Sequence, residues 1–192
     1  VINILQKNKK NYFFLNTGQH YDFRMHKIFY EQFKLKKAKY NFKRKSNNNV
    51  EFISSCLKFI NKILNKEKPT HVIIQGDTDT TLSGALATNL YNRNMSNSKK
   101  IKILHVEAGL RSFDENMPEE INRRITDNVS DFLFVPTKFE YNNLKKENLI
   151  MSKNVKIVGN TIAESLKKIT KIDSYKKKFK ENFFLLTLHR PE

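Results

Sequence analysis

Two carboxylates, Glu107 and Glu119, stand close in sequence on neighbouring polar loops, a setting in which paired side chains can hold or move a proton, and a further polar loop at 76–81 joins an apolar run to the start of a helix. Asp77 follows the apolar run 71–75, in Gly76-Asp-Thr-Asp-Thr-Thr81. Glu107 ends the run 101–106, in His105-Val-Glu-Ala-Gly-Leu-Arg111. Glu119 stands in Asn116-Met-Pro-Glu-Glu-Ile-Asn-Arg-Arg124. A carboxylate at the end of an apolar strand is costly to desolvate unless paired, and such a group can serve as an acid or a base. Each also has a plainer reading. Asp77, Thr78 or Asp79 can cap a helix. Glu107 can pair with Arg111. Asn116 and Glu119 have capping-box spacing, and Glu119–Arg123 and Glu120–Arg124 are i,i+4 pairs worth about 0.3–0.5 kcal/mol each. Two histidines occupy similar positions, His20 in Thr17-Gly-Gln-His-Tyr-Asp22 and His189 in His189-Arg-Pro-Glu192. His20 suits a phosphate, a sugar hydroxyl or proton transfer, or simply a polar turn. The sequence has no HExxH or CxxC metal spacing and no GxSxG elbow, and the 76–81 loop lacks the Gly and Lys of a Walker loop.

The elements that must position these residues alternate. Short apolar runs at 12–15, 71–75, 101–106, 132–135, 155–158 and 183–188 read as strands. Helices are expected at 24–34, 79–92, 117–130, 138–149 and 161–180. From Val50, apolar residues recur at Ile53, Leu57, Ile60 and Leu64, steps of three and four that mark an amphipathic helix ended by Pro69. Residues 36–48 and 92–100 read as polar loops. Strand–helix alternation with nearly all-apolar strands is the signature of a parallel, doubly wound α/β sheet. Ligands of such sheets bind at the carboxyl ends of the strands. Four of the five glycines (Gly18, Gly76, Gly109 and Gly159) fall just after expected strands, and Gly84 alone falls in a helix. That placement fits tight turns singly and a ligand-binding rim collectively. A helix starting at the 76–81 loop offers free N–H groups to an anion.

Composition narrows the partners. The 192 residues carry a formal net charge of +17. Yet there are 29 Lys against 7 Arg, and Lys with Asn makes up 52 residues. Base readers and phosphate clamps favour the Arg fork. Lysines scattered along helices therefore point to solvated faces rather than a nucleic-acid surface. The single Cys56 excludes an internal disulfide and fits a reducing cytoplasm. No apolar run approaches the roughly 18 residues of a membrane span. The chain begins with Val and stops just after a His-Arg loop, so truncation at both ends is expected.

Taken in order, Thr-Gly-Gln-His-Tyr-Asp (17–22), Gln-Gly-Asp-Thr (75–78), His-Val-Glu-Ala-Gly-Leu-Arg-Ser (105–112), Met-Pro-Glu-Glu-Ile-Asn-Arg (117–123), Gly-Asn-Thr (159–161) and His-Arg-Pro-Glu (189–192) resemble the non-hydrolysing UDP-N-acetylglucosamine 2-epimerase family. The resemblance runs nearly end to end and is most specific over 105–123. It implies the N-terminal half of a glycosyltransferase-B-type fold, two Rossmann-like domains closing on a nucleotide sugar. Residues 1–165 would form the first domain, and 166–192 a connecting helix and the opening strand of the second. Two departures stand out. The family's first strand and its Gly-Thr-Arg-Pro-Glu phosphate loop would precede Val1. The Gly-rich loop expected near 43–50 reads Lys-Arg-Lys-Ser-Asn-Asn-Asn-Val.

The implied reaction inverts C2 of the sugar. UDP is eliminated to give a 2-acetamidoglucal and re-added after protonation on the other face, interconverting UDP-GlcNAc and UDP-ManNAc for cell-surface polysaccharides. By resemblance Asp77, Glu107 and Glu119 correspond to the catalytic carboxylates, and His189, near the phosphates, completes the catalytic set. Gln19, His20, Arg123 and Arg190 would bind substrate. Gln19 and His20 fall in a segment that is partly regulatory in bacterial members, a role that Asp22, which differs from the residues some members carry nearby, puts in doubt. No cofactor is implied, neither metal nor nicotinamide. The expected state is a homodimer when complete, with no nucleic-acid or membrane partner. The alternatives are an epimerase of a modified UDP-sugar such as a diacetamido uronic acid, and a catalytically inactive fragment.

Overall fold

Four apolar runs pair side by side in the computed structural model, which describes residues 2–18, 31, 35–46, 48–169, 184 and 186. In chain order the elements are α1 (Ile2–Lys7), β1 (Leu15–Asn16), β2 (Tyr40–Asn41), α2 (Asn49–Glu67), β3 (His71–Gln75), α3 (Asp79–Asn92), β4 (Lys102–Val106), α4 (Pro118–Val129), β5 (Phe132–Val135), α5 (Lys138–Lys146), β6 (Asn154–Ile157) and α6 (Thr161–Ile169). Strands β3-β4-β5-β6 form one parallel sheet, and β1 pairs with β2, also parallel. Parallel strands need crossovers, and α3, α4 and α5 supply them. The expected Rossmann-like α/β fold is the observed one.

Local chemistry sets the boundaries. Asn48 caps α2 by accepting from the N–H groups of Val50 and Glu51. At its other end Lys68 adopts a left-handed backbone directly before Pro69. Thr137 and Glu140 close a capping box on α5. Among the described residues the interior has two apolar clusters. Cys56, Ile60 and Leu64 of α2 meet Ala87 of α3 and Ile101. Leu133 and Val135 of β5 meet Leu144 of α5, Leu149 and Ala108. Cys56 is fully buried, and burial pushes its thiol up to about 11.

Some expectations shift. The first strand lies at 15–16 rather than 12–15, α5 ends at Lys146, and the loop 36–48 contains β2. Helix α1 lies in a stretch without an amphipathic signal. The helix expected at 24–34 (Glu31 apart), the C-terminal part of that at 161–180 and the strand at 183–188 (184 and 186 apart) lie outside the described residues. The chain divides into two units, Val1–Gly159 and Asn160–Glu192. In the second, the Asn160 side chain accepts from the Ile162 N–H at the start of α6.

The glycines after the strands mark the rim. Gly18, Gly76, Gly109 and Gly159 all have positive φ. Gly109 is the tightest case. A Cβ there would lie 2.7 Å from the Glu140 carbonyl oxygen and 3.1 Å from Leu144 Cγ, with φ at +79°. Its N–H donates to Asp127 and its carbonyl accepts from Asn143, so the loop cannot retreat without breaking buried bonds. Gly109→Ala is expected to cost about 2–4 kcal/mol from left-handed strain plus overpacking. A denaturant melt reads this directly.

Candidate active site

Register places the site. Gln75 of β3 lies opposite Val106 of β4. The next residues, Gly76-Asp77 and Glu107, therefore leave the sheet side by side at its carboxyl rim. Gln75 Nε2 donates to Glu107 Oε1 at 3.2 Å, and a Cβ on Gly76 would lie 3.8 Å from Glu107 Oε2. Glu107 itself has φ at +67°, a left-handed backbone that costs a non-glycine residue about 1–2 kcal/mol. Such strain persists only where the surroundings over-determine it.

Helix α4 supplies the cationic wall. Arg123 Nε and Nη2 donate to Asp77 Oδ2 at 2.9 and 2.5 Å. Both bonds fall on one oxygen, which leaves Oδ1 as the other face of the carboxylate. Asn122 Nδ2 donates to the Asp77 carbonyl at 2.9 Å and to Asp79 Oδ1 at 3.2 Å. Thr78 caps α3, so the plain capping reading of this loop holds for Thr78 while Asp77 faces Arg123 instead. Thr17 joins the rim from β1 through a 2.8 Å hydroxyl contact with Thr80.

Two of the plainer pairings give way to others. Arg111 pairs not with Glu107 but with buried Asp127 and with Glu147. Arg123 pairs with Asp77 and Glu120, not with Glu119. Glu119 lies exposed on the first turn of α4 and makes no hydrogen bond or ion pair among the described residues. The structure thus brings Asp77, Glu107 and Arg123 to one rim. Gln19, His20, His189 and Arg190 lie outside the described residues. No group of three or more His, Cys, Asp or Glu that could hold a metal occurs among the described residues.

The chain as a whole has known relatives. A family model described as UDP-N-acetylglucosamine 2-epimerase matches residues 3–192. The chain belongs to that family. The UDP-N-acetylglucosamine 2-epimerase of Methanococcus maripaludis is 45% identical over 199 residues, covering 98% of this chain and 52% of that protein. The UDP-2,3-diacetamido-2,3-dideoxy-D-glucuronate 2-epimerase of Pseudomonas aeruginosa is 37% identical, over 98% of this chain and 52% of its own length. Among solved structures, the Methanocaldococcus jannaschii UDP-GlcNAc 2-epimerase in complex with UDP-GlcNAc and UDP superposes with a TM-score of 0.79. It is 43% identical, with 90% of this chain and 46% of that chain covered. The chain spans about half the length of the epimerase-family relatives it matches.

Glu120, which the sequence offers only as an i,i+4 partner of Arg124, makes that pair and does more. Glu120 is buried and accepts from the Ser112 N–H at 2.8 Å, the Ser112 hydroxyl at 3.2 Å and Arg124 Nε at 3.2 Å. It therefore ties the 107–112 loop to α4. Burial alone would raise its carboxyl, but the bonds from Ser112 and Arg124 and the charge of Arg111 outweigh that and hold it below the ordinary carboxylate value. A depressed folded-state value means stability that is complete above the unfolded carboxyl's titration, near pH ~4.3, and lost as pH falls through the folded value. Acid unfolding of the protein is therefore expected to begin below that pH. Glu120→Gln should flatten this part of a stability-against-pH curve while lowering its neutral plateau.

Proposed function

We propose that the complete protein is a UDP-N-acetylglucosamine 2-epimerase, interconverting UDP-GlcNAc and UDP-ManNAc for cell-surface polysaccharide synthesis in the cytoplasm. The observation that carries this reading is the register-enforced pairing of Asp77 and Glu107 at one rim, with Arg123 on Asp77. In the forward direction a carboxylate takes the C2 proton. The C2–H electrons form the C1=C2 bond as the C1–O bond breaks, and UDP leaves with that electron pair. A proton then reaches C2 from the opposite face, and the UDP oxygen closes again on C1. The sum is an isomerisation, with no net change in redox state or protons.

The step needs two proton-transfer groups on opposite faces of C2 and cations for UDP. Glu107 and Asp77 fill the first requirement, with Glu119 of the exposed first turn of α4 as a third carboxylate. Arg123, Arg190 and His189 fill the second, and Gln19 and His20 hold the nucleotide sugar. The complete protein works as a homodimer without a metal or nicotinamide cofactor. No helix among the described residues is long and apolar enough to cross a membrane, and buried, unpaired Cys56 suits a reducing compartment.

A second substrate stays in view because the diacetamido-glucuronate epimerase also matches 98% of this chain. The two are separated by incubating the complete protein with each UDP-sugar and following the anomeric proton by NMR. UDP-ManNAc formed from UDP-GlcNAc supports the reading. Conversion of the diacetamido sugar alone would transfer the assignment to that substrate.

A further inference from the structure

We infer that His105 is a positioning residue of this site: an imidazolium strap that fixes the Asp77 and Glu107 loops relative to each other. His105 lies on β4, two residues before Glu107, and is wholly buried. Its Nε2 is 2.9 Å from the Gly76 carbonyl oxygen, next to Asp77. A carbonyl only accepts, so Nε2 carries a proton. Its Nδ1 is 2.7 Å from Asp127 Oδ1. The second oxygen of Asp127 accepts from the Gly109 N–H at 3.1 Å and lies 2.9 Å from Arg111 Nη1. Those contacts suit an ionised carboxylate, so the proton between Nδ1 and Oδ1 belongs to the ring. Both ring nitrogens therefore donate.

Charge supports the same assignment. The side chains of His105, Asp127 and Arg111 have no exposure, and Glu147 completes the cluster on Arg111 at 2.6 Å. A cationic ring balances two carboxylates against two cations. A neutral Nε2–H ring would set the Nδ1 lone pair 2.7 Å from an ionised Asp127 Oδ1, two acceptors with no proton between them in a buried site. The cluster also reaches both loops. It holds Gly76 through His105 and Gly109 through Asp127, bracketing the sheet edge where Glu107 adopts its left-handed backbone. That is the over-determination such a strained residue requires. Neither ring nitrogen is available to a substrate, so His105 acts through the loops it fixes.

The inference rests on the epimerase reading for its kinetic consequence but not for its spectroscopic one. In the complete protein labelled with 15N-histidine, the two nitrogens of His105 are expected at the imidazolium position, both bearing slowly exchanging protons. Asp127→Asn offers Nδ1 an amide donor and should convert the ring to the neutral Nε2–H form. His105→Gln reaches one partner but not both, and should lower kcat by about 100-fold with KM nearly unchanged. A neutral His105 in the wild-type spectrum, or wild-type kcat in a folded His105→Gln protein, would overturn the inference. The spectrum is read on the wild type, so it decides even if the Gln variant does not fold. Absence of turnover in the wild type would count against the epimerase reading instead, and the spectrum alone would then judge His105.

Discussion

Replacing Glu107 by Gln in the complete protein is expected to lower kcat for epimerisation by about 10³-fold, the scale of a lost general acid or base. Folding is unchanged, because the substitution is isosteric and Gln75 can still donate to the remaining carbonyl oxygen of residue 107. KM is expected to stay close to that of the wild type, since the role proposed for Glu107 is on the C2 proton rather than on the nucleotide. A companion substitution separates chemistry from backbone. Glu107→Gly removes the left-handed strain at φ +67° and is expected to stabilise the fold by about 1 kcal/mol while also removing turnover. Kinetics and a thermal melt on the two variants check both halves. A Gln variant retaining more than about a tenth of wild-type kcat would exclude Glu107 as a proton-transfer group.

Asp77→Asn is expected to lower kcat by about 10²–10³-fold. It removes the charge that receives both Arg123 bonds, leaving the guanidinium with Glu120 at 3.4 Å. The two residues act as a unit, so their losses do not add. Arg123→Met alone lowers kcat, and the double variant is no worse than the poorer single variant within about threefold, as a coupled pair requires. The full cycle of four proteins, assayed under saturating UDP-GlcNAc, measures this. Strict additivity would show that Arg123 serves the substrate independently of Asp77.

Much of this site was legible because strands announce their ends. The runs 71–75 and 132–135 are apolar and bounded by Pro, Gly or polar residues, and the structure reproduces both. Steps of three and four from Val50 likewise marked α2. Polar residues just past β3 and β4 then had to sit on the rim, which placed Asp77 and Glu107. What stayed hidden depends on contacts distant in sequence. Strand β2 is two residues long and has no period to detect. Arg111 finds Glu147 thirty-six residues away, where local pairing suggested Glu107.

Helix α4 is the clearest failure of periodicity. Glu120, Asn122, Thr126 and Asp127 are buried while Ile121 is 48% exposed. An apolar-in rule reads that helix inside out. Glu120, Asn122 and Asp127 of that stripe are satisfied by Ser112, Asp77, His105 and Arg111, partners that only the assembled sheet edge supplies. That stripe is also why Glu120, rather than Glu119, anchors the loop.

The central claim is proton exchange at C2 by rim carboxylates, and solvent labelling tests it most directly. The complete protein is incubated with UDP-GlcNAc in deuterium oxide, and C2 is followed by NMR. The account predicts deuterium at C2 in both UDP-GlcNAc and UDP-ManNAc, and no incorporation with Glu107→Gln. Interconversion that retains the original proton at C2, or labelling that survives in the Gln variant, would contradict it.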